Sequence, residues 1–291
     1  MRKIAYNIGG LFFSAVFGAV VLAGCTEREL SERPSDGPLK IRLEWPAGHA
    51  NISGAQLYLY ASDGTLYRRI ECAASGHECR VPADSYTILA VNSDCSNASC
   101  LRTESPGSCR MGAGSHPTEE GVLLHVSQVY CIGQTGIEVA PGNRAQEVTL
   151  YPRNRVKFLH FDIDPSYVDD IRDMQLRMTG VVPSVLVSDG SDAQEATQHI
   201  LAEASATDDG GYTADMSVFG WRGESLVTAA ITYTDGREEV SLPQDIGNQL
   251  SALPEEGGTI HLTLALPDGG EIMLTVTVEA WQSGTGSGTV I

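Results

Sequence analysis

Residues 260–281 read Ile-His-Leu-Thr-Leu-Ala-Leu-Pro-Asp-Gly-Gly-Glu-Ile-Met-Leu-Thr-Val-Thr-Val-Glu-Ala-Trp, and they say most about the architecture. Two runs with an apolar residue at every second position flank a Pro-Asp-Gly-Gly turn. Successive side chains of a β-strand point to opposite faces, so this alternation is typical of strands with one buried face. The segment therefore predicts two strands joined by a turn.

The same alternation recurs along the chain. Residues 39–45 alternate apolar and charged side chains, and the runs 55–61 and 65–72 flank Ser62-Asp63-Gly64, which is a strong hairpin signal. Further strands are predicted at residues 86–92, 122–131, 147–151, 156–163, 181–187, 226–234, 238–242, 260–266 and 272–280. Residues 191–205 have helical propensity but fit a long loop equally well. Short strands with turns between them predict an all-β protein built from sandwiches.

The chain divides into four predicted segments. They are a signal peptide over residues 1–24, a polar tether over 25–37, an N-terminal β-sandwich with a cysteine-rich loop over 38–152, and a C-terminal β-sandwich over 153–291. Pro152 marks the predicted boundary between the sandwiches. The mature chain is long enough for two ordinary domains with adequate cores.

The N-terminus resembles an export signal. A short basic start leads into an apolar run over residues 8–22, which ends in Leu22-Ala23-Gly24-Cys25. Small residues directly before a cysteine are typical of a lipoprotein signal peptide, and the run is shorter than the roughly 20 apolar residues that a membrane span needs. We expect cleavage before Cys25 and fatty acylation of Cys25, with palmitate-type chains that hold the protein on a bilayer. An ordinary secretory peptide with a coincidental cysteine is the alternative.

The charge of the chain excludes some partners. The sequence contains 19 Lys and Arg against 37 Asp and Glu, and loss of Arg2 and Lys3 with the signal peptide leaves 17 against 37, a formal net charge of −20. Nucleic acids and anionic headgroups repel such a chain, so we predict no nucleic-acid partner. Solubility is the simplest reason for the charge.

Six further cysteines lie within one stretch of about sixty residues. An even number of cysteines in an exported protein indicates disulfides. We predict three local pairs: Cys72 with Cys79, Cys95 with Cys100, and Cys109 with Cys131. A zinc site is the alternative, but His77-Glu78-Cys79 lacks a second ligand pair at matching spacing. The loop over residues 94–114 has few apolar side chains to bury, which favours stabilisation by disulfides.

Catalytic patterns are weak throughout. The glycine-rich residues 284–288 precede no predicted helix, so a phosphate-binding loop is excluded, and the seven histidines include no His-x-x-x-His pair. The densest carboxylate groups are Asp162, Asp164, Asp169 and Asp170, and then Asp189 and Asp192. Calcium can use such groups, but solvation of loops explains them more simply. We therefore predict no catalytic residue, no cofactor, no metal site and no enzymatic activity.

Several segments resemble fimbrillin-family lipoproteins. Leu39-Lys-Ile-Arg-Leu-Glu-Trp45 and Ser85-Tyr-Thr-Ile-Leu-Ala-Val-Asn92 are similar to the opening domain of that family, and Val148–Arg153 falls where the family passes between domains. Residues 244–250, 259–267 and 278–281 look like its second domain. The family includes the anchoring subunits of type V pili, which tie the fimbrial rod to the outer membrane.

This resemblance implies two tandem transthyretin-like β-sandwiches, a lipoprotein of the cell outer membrane and no catalysis. It also implies pilin partners, which associate by strand addition. The tail after Trp281 is too rich in Gly and Ser for a donated strand, although a frayed terminus explains it equally well. Glu27, Glu29 and Glu32 resemble signals for surface exposure, with tether solvation as the alternative.

Two other functions stay open at this point. A glycan- or host-binding surface module would use exposed rings as stacking platforms, with Trp45, Trp221 and Trp281 as candidates, although such positions in strands are more often in a core. A hydrolase would need Asp162 or Asp164 in a cleft.

Overall fold

The computed structural model describes residues 35–47, 52–166, 168–266 and 271–277, and most of these residues lie in strands. The first half contains β1 (Asp36–Leu43), β2 (Gly54–Tyr60), β3 (Leu66–Ala73), β4 (Gly76–Pro82), β5 (Asp84–Asn92), β6 (Ala98–Leu101), β7 (Arg110–Ala113), β8 (Val122–Leu123), β9 (Tyr130–Val139), β10 (Gln146–Leu150) and β11 (Arg153–Asn154). The second half contains β12 (Lys157–Asp164), β13 (Ile171–Val181), β14 (Ser184–Leu186), β15 (Gln198–Glu203), β16 (Ser205–Ala206), β17 (Tyr212–Val218), β18 (Leu226–Tyr233), β19 (Glu238–Val240), β20 (Gln244–Asp245), α1 (Gly247–Ala252), β21 (Gly257–Ala265) and β22 (Met273–Thr277).

Most strands of the first half form one sheet that folds over itself. Its order is β10-β1-β4-β3-β2-β5-β9-β11, with β1 parallel to β10 and antiparallel to β4. β3 and β4 meet at the pair Ala73 and Gly76. Apolar residues of β10, β1 and β4 share one core with residues of β3, β2, β5 and β9. The two parts of the sheet therefore face each other as the layers of a sandwich.

The second half builds its core between two separate sheets. One sheet has the order β16-β17-β12-β21-β22, and the other has the order β19-β18-β13-β15-β8. Alternate residues of β12, such as Leu159, Phe161 and Ile163, are 2% exposed or less and pack in this core. Each such side chain contributes about 1.5–3 kcal/mol through burial. The all-β sandwich prediction is confirmed.

A third core lies between the two sandwiches. The strands β2 and β5 are buried on both faces: Leu57 and Leu59 point into the first core, whereas Tyr58 and Tyr60 point away from it. These tyrosines pack with residues of the second half, such as Val185 and Phe219. The two halves are thus continuous through apolar packing.

The cysteine-rich stretch crosses between the halves. β7 pairs antiparallel with β14, and β8 pairs parallel with β15. We call residues 98–123 the strap, because β8 joins a sheet of the second half while β6 and β7 form a separate three-stranded sheet with β14. The strap has its own apolar contacts, since Met111 is 1% exposed in the third core. The division of the chain into independent sandwiches at Pro152 stays a prediction.

The predicted hairpin at Asp63-Gly64 is confirmed. β2 and β3 pair antiparallel, Ala61 N donates to Thr65 O at 2.9 Å, and the Asp63 carboxylate accepts from Thr65 N at 2.9 Å. The turn therefore has the local chemistry that its sequence predicts.

Other strand predictions need correction. The strand predicted at residues 122–131 is two strands, because residues 124–129 cross from the strap to β9. The stretch 191–205, predicted as a helix or a long loop, contains β15 and part of β16. The strand predicted at 272–280 is described only as far as Thr277, and β1 begins at Asp36, inside the predicted tether.

Candidate functional site

The predicted lipid site, Cys25, lies outside the described residues. Lipidation, the signal peptide and most of the tether therefore stay predictions. Within the described ranges, no helix has the length and hydropathy that crossing a membrane requires.

The other six predicted cysteines occupy two places. Cys72 and Cys79 lie on β3 and β4 and pack against the first core. The remaining four lie around the third core, and they are Cys95, Cys100, Cys109 and Cys131. All six carry free thiols in this structure, so the three predicted disulfides stay predictions.

The four cysteines of the third core lie close to two buried tyrosines. Contact with the Cys109 thiol is the main influence that lowers the pKa of Cys100, and it outweighs burial, while the Tyr58 hydroxyl acts in the same direction. The same contact raises the pKa of Cys109. Burial raises the pKa of Cys131 to about 11. Burial also raises the pKa of Tyr60. The cluster is thus a weakly solvated group of thiols and phenols.

A polar clamp holds the strap against the second half. An Arg110 nitrogen lies 2.9 Å from a Glu195 carboxylate oxygen, and the Arg110 side chain is 12% exposed. The Ser184 hydroxyl on β14 donates to the same carboxylate, and Arg222 donates to the main-chain oxygen of Glu195. Arg222 also pairs with Asp192 at 2.9 Å, so that carboxylate is in the clamp. Charge-assisted bonds of this kind fix orientation in a partly dry interface.

The acidic residues Asp162, Asp164, Asp169 and Asp170 do come together, around one open cavity of about 1130 Å³. Asp164 accepts from Ser166 N at 3.0 Å, which is a turn contact. In the described part of the chain, no three His, Cys, Asp or Glu side chains converge closely enough to hold a metal ion. The Asp189 carboxylate likewise accepts from Ser191 N, at 2.9 Å. Asp164 and Asp189 thus stabilise local turns through backbone contacts.

Sequence reasoning missed a ladder of His and Asp on the outer face of the second half. His160 contacts Asp215 on β17 at 2.7 Å and Asp162 on its own strand at 3.0 Å, and His261 on β21 reaches Asp162 at 3.2 Å. Strand register sets these contacts, because His160 lies opposite Asp215 and Asp162 lies opposite His261. Residues so far apart in the chain leave no sequence signal for the contact.

Two of the three tryptophans that were candidate glycan platforms make contacts within the protein. Trp45 Nε1 donates to Ala74 O at 2.8 Å, and its ring stacks edge-on with Tyr130 at 6.1 Å. The Trp221 ring packs against the second core, with Lys157 Nζ at 5.2 Å from its centroid. Trp281 lies outside the described residues.

One edge of the second half carries exposed apolar side chains. Among the described strands, β19 and β22 are the outermost of their sheets, and Leu242 N, just after β19, donates to Ile272 O, just before β22, at 2.8 Å. Val240, Leu242, Leu266 and Met273 are between 40% and 64% exposed there. We call these four residues the apolar edge. A sheet edge with free apolar side chains can accept an added strand.

Comparisons with known proteins found similarity in structure only. No protein-family model matches the chain, and no curated protein matches it. A candidate adhesin from Bacteroides ovatus aligns with a TM-score of 0.67 at 16% identity, covering 88% of this chain and 99% of that one. A second candidate adhesin from that organism aligns at 10% identity with a TM-score of 0.59, covering 85% and 94%.

A fimbrial protein is also among the similar structures. The fimbrial anchor protein Mfa2 from Porphyromonas gingivalis aligns with a TM-score of 0.59 at 11% identity, over 84% of this chain and 98% of that one. Each alignment covers at least 84% of this chain, so it extends over both halves. This chain therefore has the β-sandwich fold of fimbrial and candidate adhesin proteins of these bacteria.

Proposed function

We propose that the protein is a lipid-anchored, non-catalytic structural component of a fimbria-like assembly on the outer membrane. The observation that carries the proposal is the similarity of nearly the whole described chain to the fimbrial anchor Mfa2. The Leu22-Ala23-Gly24-Cys25 motif supports it independently, because a lipidated Cys25 would hold such a subunit at the membrane.

The lipid anchor is tested by metabolic labelling. Cells that express the protein are fed an alkyne analogue of palmitate, and the label on the purified protein is compared between the wild type and Cys25→Ala. We expect labelled wild-type protein in the outer-membrane fraction and complete loss of label in the variant. Cys72→Ala is the matched control, and it should keep the label. Unlabelled wild-type protein would contradict the anchor.

Assembly is tested by copurification. Mild cross-linking of piliated cells, followed by isolation of the protein, should give a ladder with pilin-sized increments. Recovery of the protein as a clean monomer from cells that retain their fimbriae would contradict the structural role.

The apolar edge is the proposed contact for a pilin strand. A partner with alternating apolar side chains would continue the sheet at β22 and cover Met273 and Leu242. We expect Met273→Lys to reduce the cross-linked ladder several-fold, because a charge at this edge opposes strand addition. Leu66→Lys is the control, since Leu66 is 36% exposed on β3 of the other half. Equal loss in both variants would argue against this edge.

A surface glycan-binding module is the second candidate function. The exposed rings that favour it are Tyr151, 59% exposed, and Phe158, 45% exposed, at the junction of the two halves. A glycan array is the test, and Tyr151→Ala should abolish any binding that uses this junction.

A further inference from the structure

The β6–β7 hairpin in the strap places two cysteines on one face. Cys100 lies opposite Met111 in the register, and Cys109 directly precedes β7. Because side chains alternate along strands, Cys100, Cys109 and Met111 all point inward, whereas Leu101 points outward and is 42% exposed.

The two thiols lie on the same face of the hairpin, in the third core. Cys109 is fully buried, and Cys100 packs against the same core with its Sγ 3.2 Å from Met111 Sδ. The register therefore places Cys109, two residues before Met111, diagonally across the hairpin from Cys100 on the same face. Cys95 lies instead beside the main-chain oxygens of Asn92 and Ala98, at 3.8 and 3.9 Å.

We propose that Cys100 and Cys109 form a disulfide that closes the loop of residues 101–108. This pairing differs from the local pairs that spacing predicts, Cys95 with Cys100 and Cys109 with Cys131. It rests on export of the chain to an oxidising compartment, which the proposed function includes.

The bond forms by thiol–disulfide exchange with an exported thiol–disulfide oxidoreductase in its disulfide form. Cys100 is the first nucleophile, because its pKa is lowered and it reaches the thiolate form more readily. Its thiolate attacks the disulfide of the oxidase, which releases one oxidase cysteine as a thiolate. The Cys109 thiolate then attacks Cys100 Sγ and displaces the second oxidase cysteine. The two cysteines lose two protons and two electrons, and the oxidase leaves as a dithiol.

The disulfide would stabilise the junction between the halves. The main-chain oxygen of Cys109 accepts from Val187 N at 3.0 Å, and the next residue, Arg110, lies opposite Leu186 on β14. Closing the loop therefore restrains the part of the strap that joins the second half.

Peptide mapping tests the pairing. The mature chain with Cys25→Ala is oxidised in a glutathione buffer, free thiols are alkylated, and the protein is digested with trypsin without reduction. Cleavage after Arg80, Arg102 and Arg110 separates residues 81–102, 103–110 and 111–144. We expect a cross-link between peptides 81–102 and 103–110. Cys100→Ser should remove this cross-link, and Cys95→Ser should keep it.

Several results would overturn the proposal. A cross-link between peptides 103–110 and 111–144 would assign Cys109 to Cys131, and a loop within peptide 81–102 would pair Cys95 with Cys100. Full alkylation of Cys100 and Cys109 after oxidation would show that they do not pair. If a serine variant misfolds, the linked peptide is taken from the chain without serine substitutions. Its fragment ions then show whether Cys95 or Cys100 carries the cross-link. Because the purified chain carries no lipid, failure here would leave the anchoring role untouched.

Discussion

At the scale of single residues, His160 links charges on neighbouring strands. Burial lowers the pKa of His160, but the carboxylates of Asp215 and Asp162 outweigh burial and raise it above the ordinary value of 6.5. A raised pKa in the folded state means that the ion pairs contribute fully below pH 6.5. Their contribution disappears as the pH rises through the folded pKa. The His261 ring on β21 lies 3.2 Å from the other oxygen of the same Asp162 carboxylate.

We expect His160→Gln to lower the free energy of unfolding more at about pH 5.5 than at about pH 8, with a difference below about 1 kcal/mol. The difference is small because the ring is 42% exposed and solvent screens it. Urea unfolding at both pH values measures it. In an Asp215→Asn background the pH-dependent difference should shrink. A destabilisation that grows with pH would contradict the sign.

Gly257 lies where the backbone of β12 comes so close that a side chain would not fit. It has φ +104, and a Cβ built there would lie 1.9 Å from Phe158 O on β12. The parallel pairing of β12 with β21 begins at this point, with Phe158 opposite Gly257.

We expect Gly257→Ala to lower the free energy of unfolding by about 2–4 kcal/mol, because a side chain would push the two strands apart. Gly236→Ala is the matched control. Gly236 has φ +86 with nothing within 4 Å of a built Cβ, so its cost is the left-handed backbone alone, about 1–2 kcal/mol. Equal losses in urea unfolding would show that the contact with Phe158 does not matter.

At the scale of elements, the strap depends on β7 and its partner β14. Three residue pairs join these strands, and the Arg110–Glu195 clamp lies beside them. This short ladder provides few hydrogen bonds to hold the strap. The half-buried ion pair beside it contributes more to docking than an exposed pair would, because solvent screens it less.

We expect Arg110→Ala to lower the free energy of unfolding by about 1–3 kcal/mol, because Glu195 loses its charged partner and packing around the arginine stem is lost. Arg42→Ala is the control. Its pair with Glu147 spans 3.4 Å with both side chains more than half exposed, so its loss should cost under about 0.5 kcal/mol. Chemical denaturation compares the two. Equal losses of unfolding free energy in the two variants would contradict a role of the Arg110–Glu195 pair in docking the strap.

At the scale of the whole molecule, the third core couples the two sandwiches. Tyr58 and Tyr60 of the first half share it with Val185 and Phe219 of the second half, and two strands of the strap, β7 and β8, pair with strands of the second half. Opening one sandwich would expose apolar surface on the other, so the halves should unfold together.

Two tryptophans report on the halves separately. Trp45 lies in the first half and Trp221 in the second, so Trp45→Phe and Trp221→Phe, each with Trp281→Phe, leave one probe in each half. We expect the same urea midpoint from both probes. Adding Met111→Ala should lower the free energy of unfolding by about 2–4 kcal/mol, since Met111 is 1% exposed in the third core. Both urea midpoints should therefore fall together. Separate midpoints without that substitution would contradict the coupling.

The prediction of this architecture from sequence succeeded where the information is local. Alternation over residues 39–45 and 260–266 predicted strands because the period of two depends only on backbone geometry. The Asp63-Gly64 turn was predictable for the same reason, since the aspartate caps its own turn. The motif before Cys25 is also read from adjacent residues, and the lipidation that it indicates stays a prediction.

Contacts that depend on strand partners could not be read from the chain. Alternation shows which face of a strand is apolar but not which strand covers that face. Three features therefore depend on the folded arrangement: the burial of β2 and β5 on both sides, the pairing of β7 with β14, and the His160–Asp215 contact. Cysteine spacing likewise favours sequence neighbours, whereas the folded hairpin places Cys100 and Cys109 on one face in the third core. Local periodicity thus defined the strands, and long-range pairing, which no short window contains, defined the strap, the third core and the groups that meet there.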